Sequence, residues 1–341
     1  MTSKERVLGV INRKPVDRVP WIETTVDDTL ASKIVGRNVK TPKGGRMASE
    51  IYDHLLLDNV TCTIRPPRLA NVDTSSVGKT FLGERKLKTP EDLKKLKQLL
   101  PDPDDDKLYQ DAIQYLKEHK KDKAAIAQVS LGISDTYNSM GIDYFSLCLY
   151  DDPNFVMEIL DTYIDWSIKV VENLNELDFD LYLTPEDVAF KSGPLFSPKM
   201  FREMFAPRVK RLIEKMELPW IYHTDGDITN IIEELIPLGM SAICNLEPTG
   251  NMDIYELKKK YGDRICLMGN IDLHHTLTLG TVEETTREVY ERITRLAPGG
   301  GYILSSSNSL PVYCKPENVM AMSKALEKYG HYIPGTYSLK E

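Results

Sequence analysis

Short apolar runs alternate with longer amphipathic stretches along most of the chain. The runs predict strands at residues 19–23, 59–64, 124–131, 180–183, 219–223, 242–246, 265–268 and 301–304. They are uninterrupted rather than alternating, the pattern of strands covered on both faces. The stretch 154–177 follows Pro153 and repeats apolar residues at three and four spacing: Phe155, Ile159, Ile164, Ile168, Val171 and Leu174. That spacing predicts a helix with one buried face. Residues 199–216, 228–238 and 282–296 read the same way. Thr2 followed by Glu5 is a capping box, opening a short helix through Asn12 that Pro15 to Pro20 ends. Regular strand–helix alternation of this length predicts a parallel α/β fold, either a barrel or a doubly wound sheet. No GxGxxG follows the first run, which weakens the dinucleotide-binding option.

Residues 86–123 break the pattern. They are dense in Lys, Asp and Pro, with Pro101-Asp-Pro-Asp-Asp-Asp106, and read as a helical surface insertion with solvated charges. The whole chain, 1–341, is expected to be one domain, because α/β barrels often reach this length as one unit.

Composition narrows the partners. The chain carries 43 Lys+Arg against 51 Asp+Glu, a formal net charge of -8, with no basic stripe. Nucleic acid is therefore not an expected partner. The N-terminus lacks the apolar core of a signal peptide, and no apolar run approaches the ~20 residues of a membrane span. The five cysteines, Cys62, Cys148, Cys244, Cys266 and Cys314, are scattered without a CxxC. This argues for reduced thiols and a cytoplasmic location. Cys244 and Cys266 lie within predicted strands and read as small buried hydrophobes.

In a barrel, side chains following the strands would converge on one mouth. Here they are Glu23, Thr24 and Asp27; Cys62 and Arg65; Ser134 and Asp135; Thr184, Glu186 and Asp187; His223, Asp225 and Asp227; Asn245 and Glu247; Asn270 and Asp272; and Ser305 to Asn308. Imidazole and carboxylate suit zinc, and carboxylates suit acid–base work. Asp227 precedes a predicted helix and reads as its cap. Asp272 reads equally as a cap or a site residue. His274 and His275 read as surface residues.

The motifs SKERVLGVINRKPVDRVP, Glu186-Asp-Val-Ala, Gly193-Pro-Leu-Phe-Ser-Pro198, His223-Thr-Asp-Gly226, Leu267-Met-Gly-Asn-Ile-Asp272, Gly299-Gly-Gly-Tyr-Ile-Leu304 and Lys315-Pro-Glu-Asn-Val319 resemble those of the uroporphyrinogen decarboxylase superfamily, in the same order. The resemblance implies a (β/α)8 TIM barrel. It implies one of two chemistries: metal-free decarboxylation of an acidic tetrapyrrole, or zinc-dependent methyl transfer to or from a corrinoid protein. The decarboxylase branch places arginines after the first strand, where this chain has Glu23 and Asp27. Those would repel a polycarboxylate. Asn308 stands near the position of that branch's late His. The thiol-directed methyltransferases resemble His-x-Cys after strand five, with a further Cys after strand eight. Here Asp225 follows His223, strand eight ends in serines, and Cys314 lies too far along.

The reading that remains is a zinc- and corrinoid-protein-dependent methyltransferase of the O-demethylase kind. Its expected catalytic residues are His223, Asp225 and Glu186. Its expected zinc ligands are His223 and Glu186, with Asp225, Glu247 or Glu203 completing the set. Glu23, Cys62, Asn245, Asn270, Ser307 and Asn308 are expected to line a site for a small methoxylated or methylated substrate. The cofactors would be zinc and cobalamin carried by the partner. The alternative is a metal-free decarboxylase anchoring a carboxylate on Arg65 or Arg68.

Overall fold

The computed structural model describes residues 1–74 and 80–340. Its strands in chain order are β1 (Asn59–Thr63), β2 (Ala70–Thr74), β3 (Thr80–Arg85), β4 (Ala124–Gln128), β5 (Leu181–Pro185), β6 (Ala189–Phe190), β7 (Gly193–Pro194), β8 (Trp220–Thr224), β9 (Ala242–Asn245), β10 (Cys266–Met268) and β11 (Tyr302–Ile303). Seven form one parallel sheet in the order β1-β4-β5-β8-β9-β10-β11. These match seven of the eight expected runs. β4, β8 and β9 are buried at every position, as two-sided cover requires.

The eighth run, 19–23, closes the ring between β11 and β1. Ile22 donates to the Leu304 carbonyl at 3.0 Å, and Leu304 donates to the Pro20 carbonyl at 2.8 Å. On the other side Asp58 N donates to the Trp21 carbonyl at 2.8 Å. This segment forms bridges rather than a continuous ladder, and the cause is local. Pro20 has no N–H. The Trp21 and Glu23 amides donate to side chains, Asp58 Oδ2 at 2.8 Å and Asn59 Oδ1 at 3.1 Å. The result is the (β/α)8 barrel that the sequence led us to expect.

The helices follow their apolar faces. Pro153–Asn175 buries Phe155, Ile159, Ile164, Val171 and Leu174, and Asp152 caps it by accepting from Phe155 N at 3.1 Å. Val282–Leu296 starts at a Thr281–Glu284 capping box. Two expected helices are interrupted, both at proline. The stretch 199–216 contains a π turn, Phe201–Phe205, just before Pro207 in Ala206–Ile213. A ring that clashes with the carbonyl four residues back widens the preceding turn. Likewise 228–238 shortens to Ile232–Leu235 followed by a 3-10 turn through Pro237.

The stretch 86–123 differs from the expected insertion. Pro90–Leu99 and Lys107–His119 are helical, but the second buries Tyr109, Ala112, Tyr115 and Leu116. It lies in the crossover from β1 to β4, so it belongs to the barrel's own helical layer. The antiparallel pair β2–β3 has no counterpart in the expected elements. No helix among the described residues is long and apolar enough to cross a membrane. All five cysteines are free and buried.

Candidate active site at the barrel mouth

β8 ends at His223 and Thr224, with His223 opposite Pro185 of β5 and Cys244 of β9. This is the carboxyl end of the barrel, where loops rather than helices surround the strand tips. The next loop folds back sharply at Gly226, whose φ is +82°. A Cβ there would meet the Ala189 carbonyl oxygen at 2.5 Å, so glycine permits the close approach. Asp227 N donates to the Phe190 carbonyl at 2.9 Å and locks the loop onto β6. Asp225 is thereby turned inward, while Asp227 accepts from Thr229 N at 2.9 Å in a turn and does not cap the expected helix, which begins only at Ile232, after Ile231.

Asn245 and Asn308 fix the Asp225 carboxylate. Asn245 Nδ2 donates to Oδ1 at 2.8 Å, and Asn308 Nδ2 lies 3.1 Å from each oxygen. The same Asn245 Nδ2 is 3.2 Å from His223 Nε2. An amide oriented by Asp225 presents hydrogens there, so Nε2 accepts and the ring proton sits on Nδ1, which faces Cys244 Sγ at 3.7 Å. Burial pushes the His223 pKa down, with Asp187 and Asp225 opposing, which favours the neutral ring. Burial and then repulsion from Asp187 push Asp225 up.

Asp187 completes the cluster. Its Oδ1 accepts from Asp225 N at 3.0 Å and lies 3.9 Å from His223 Nε2. One ligand atom each from Asp187, His223 and Asp225 fall within 4.8 Å of one another. A neutral imidazole nitrogen and two carboxylates are a donor set that zinc accepts, and three protein ligands leave a position open, as catalytic zinc sites do. Beside them Asn245 Oδ1 is buried without a partner. By donor chemistry the cluster fits zinc.

Residues 78–329 match the family model described as Uroporphyrinogen decarboxylase (URO-D). The chain belongs to that family. It is 25% identical over 172 residues to the methylcobamide:CoM methyltransferase MtaA of Methanosarcina barkeri, and 24% identical over 172 residues to the MtaA of strain Fusaro. Each match covers 50% of this chain and 48% of the relative, so it spans about half the length of those proteins. The solved structure of a methyltransferase from Methanosarcina mazei superposes with a TM-score of 0.76 at 19% identity, covering 96% of this chain and 99% of that one. That likeness is one of fold.

On this URO-D barrel the remaining expected site residues take different places. Glu186 does not join the cluster. It is fully buried, and its oxygens accept from Leu131 N and Ser134 N, both at 2.7 Å. Burial, with Asp135 adding to it and Arg65 opposing, raises its carboxyl to about 7. Asp187, one residue on, lies where Glu186 was expected. Glu247 is half-buried and outside the group of three, and Glu203 is exposed on the π turn. Glu23 is buried, accepting from Trp21 Nε1 at 2.8 Å, Ser306 N at 2.8 Å and Ser306 Oγ at 2.7 Å. Cys62 is buried at the Gly45 bridge, with Tyr52 and Tyr115 near it, and burial pushes its thiol up to about 12. Asn270 is tied to the Leu246 carbonyl at 2.5 Å and to Arg292 Nε at 2.8 Å, and it borders a separate crevice. Ser307 Oγ accepts from Leu273 N at 3.2 Å. Asp272 is a cap, accepting from His274 N and His275 N at 2.8 and 2.7 Å, and both histidines are exposed.

A cavity of about 240 Å³ opens beside His223 and Asn308. Thr24, Thr25, Thr63 and Gln128 line it, together with Arg46 and Arg65. Its size lies just below the ~300–1,000 Å³ usual for drug-sized ligands, which suits a small molecule. Sequence reasoning missed Arg46 because it follows no strand. The Lys43-Gly-Gly-Arg46 turn was its only mark. Gly44 has φ +88°, and a Cβ there would meet the Asp111 carbonyl at 2.2 Å, so the turn lies flat against Lys107–His119 and sends Arg46 to the mouth.

Proposed function

We propose that this chain is a methyltransferase that moves a methyl group between a small methylated or methoxylated molecule and a corrinoid held by a separate protein. The observation that carries the reading is the Asp187–His223–Asp225 cluster at the carboxyl ends of β5 and β8, with His223 lining a small pocket. Membership of the URO-D family and the methylcobamide-dependent activity of the Methanosarcina relatives support it.

His223 Nε2, Asp187 and Asp225 would hold zinc. Bound there, zinc supplies a Lewis acid that polarises a substrate oxygen. The chain's own residues prepare the site. Asn245 and Asn308 hold Asp225 in one orientation, and the Asp225 amide holds Asp187. Burial favours the neutral ring of His223, whose Nε2 lone pair accepts from Asn245 Nδ2 and would exchange that hydrogen bond for the metal. The pocket walls position the substrate beside these groups and limit water.

Metal analysis tests the reading. Purified protein should hold roughly one zinc per chain, and His223→Ala should hold little. Methyl transfer to reduced cobalamin should be lost in that variant and retained in Glu186→Gln. Metal-free wild-type protein, or a His223→Ala variant that still transfers methyl groups, would overturn it. Release of carbon dioxide by zinc-free protein would favour the decarboxylase alternative.

A further inference from the structure

The pocket is bordered by groups of both signs. His223, grouped with the carboxylates of Asp187 and Asp225, lines it. Arg46 and Arg65 line it as well. Arg46 forms no ion pair with any described residue; its Nε donates to Thr25 Oγ1 at 3.0 Å. Arg65 Nη2 lies 3.3 Å from Asp135, but Arg68 Nε binds that same carboxylate more closely, at 2.6 Å. Arg65 Nε is buried without an acceptor. Two guanidiniums therefore border one cavity, and the carboxylate nearest Arg65 is shared with Arg68. Burial lowers the pKa of both, but attraction to Asp135 and then Glu186 outweighs it at Arg65, whereas repulsion from Arg65 adds to it at Arg46; Arg46 is the guanidinium without a counter-charge among the described residues.

We propose that Arg46 and Arg65 are the anchor for a substrate carboxylate, so that the molecule turned over is a small organic acid. Planar guanidinium groups match a carboxylate in shape and charge. Asp187 and Asp225 beside His223 repel that group and the arginines attract it, so the carboxylate would seat on Arg46 and Arg65 and the transferable methyl group would face His223. The substrate class rests on the methyl-transfer reading; the anion subsite does not.

Calorimetric binding of 4-methoxybenzoate, methoxyacetate and neutral methoxybenzene tests the proposal without requiring turnover. Wild-type protein should bind at least one of the two acids, and 4-methoxybenzoate more tightly than methoxybenzene. Arg46→Gln should weaken binding of the acid about tenfold to a hundredfold, the range for a lost charge-assisted hydrogen bond, and leave methoxybenzene unchanged. Arg46→Lys should recover part of the loss. Thermal melting controls for folding, since only the Thr25 bond is lost. Failure of wild-type protein to bind either acid, or equal acid binding by wild type and Arg46→Gln, would overturn the proposal. Arg46-dependent acid binding by a protein without zinc or methyl transfer keeps the subsite and removes the methyltransferase reading. Methyl transfer that is indifferent to Arg46 and to the substrate's charge does the reverse.

Discussion

The two ends of the barrel bury charge in opposite ways. At the amino-terminal end, Asp58 is fully buried between Arg6 and Arg18, at 2.6 and 2.9 Å, and also accepts from Trp21 N. Asp180, before β5, accepts from Ala125 N at 2.8 Å and pairs with Lys4 at 2.6 Å and Lys120 at 3.1 Å. Both carboxylates have a cation and an amide. At the carboxyl end Asp187 and Asp225 lie together with an imidazole that burial holds towards neutrality, and neither forms an ion pair with the two arginines of the adjoining pocket. Like charges kept together cost stability, a cost that the proposed metal would offset. The lower end closes the ring; the upper end leaves two carboxylates side by side.

The largest effect should come from breaking the lower end. Asp58→Ala leaves two guanidiniums buried without their anion and removes the acceptor that seats the first barrel segment. The expected loss is about 3–5 kcal/mol, measured by urea unfolding. A loss under ~1 kcal/mol would mean that this end is not the closure the geometry describes.

Glu23 sharpens the contrast at an intermediate scale. It lies on the same segment as Trp21, yet its partners are neutral donors and it forms no ion pair with any described residue. Burial raises its carboxyl from 4.5 to about 7 against those hydrogen bonds. The folded chain keeps a proton there that the unfolded chain releases above about pH 4.5. Stability from this group is therefore complete below that pH and is lost as pH rises towards 7. Glu23→Gln, which keeps the shape, should reduce the difference in unfolding free energy between pH 5 and pH 8 by about 1–3 kcal/mol. An unchanged slope would show that Glu23 is already ionised in the fold.

Seven strands, the closing segment and the main helices were legible because burial on both faces of a strand, or on one face of a helix, leaves a periodic mark. The β2–β3 pair left none: Val72 is exposed, and an isolated two-stranded ribbon has little core to pattern it. The prolines that break helices were visible as residues, but their effect depends on which turn they meet. His223, Asp225, Asn245 and Asn308 followed from the rule of strand ends. Choosing Glu186 over Asp187 did not. The two are adjacent, and only the path of the chain after β5 decides which faces the Ser130–Ser134 amides and which faces the mouth. Arg46 lay beyond the same rule because it arrives on a loop between elements.

The smallest effect on stability, and the sharpest discrimination between the two ends, should come from Asp225→Asn. An asparagine keeps an oxygen to accept from Asn245 and Asn308, and it removes one of two adjacent negative charges. In chelator-treated protein at pH 7 the change should be within about 0.5 kcal/mol of neutral or slightly stabilising, because repulsion from Asp187 is relieved. The same substitution should cost at least about tenfold in zinc affinity, since a charged ligand is replaced by a weaker neutral one. At Asp58 an interaction that holds the fold is lost, and stability falls with it. At Asp225 the fold is expected to lose nothing while metal binding falls. A substitution there that destabilised the metal-free protein as strongly as Asp58→Ala would show that the cluster is a structural knot and not a site.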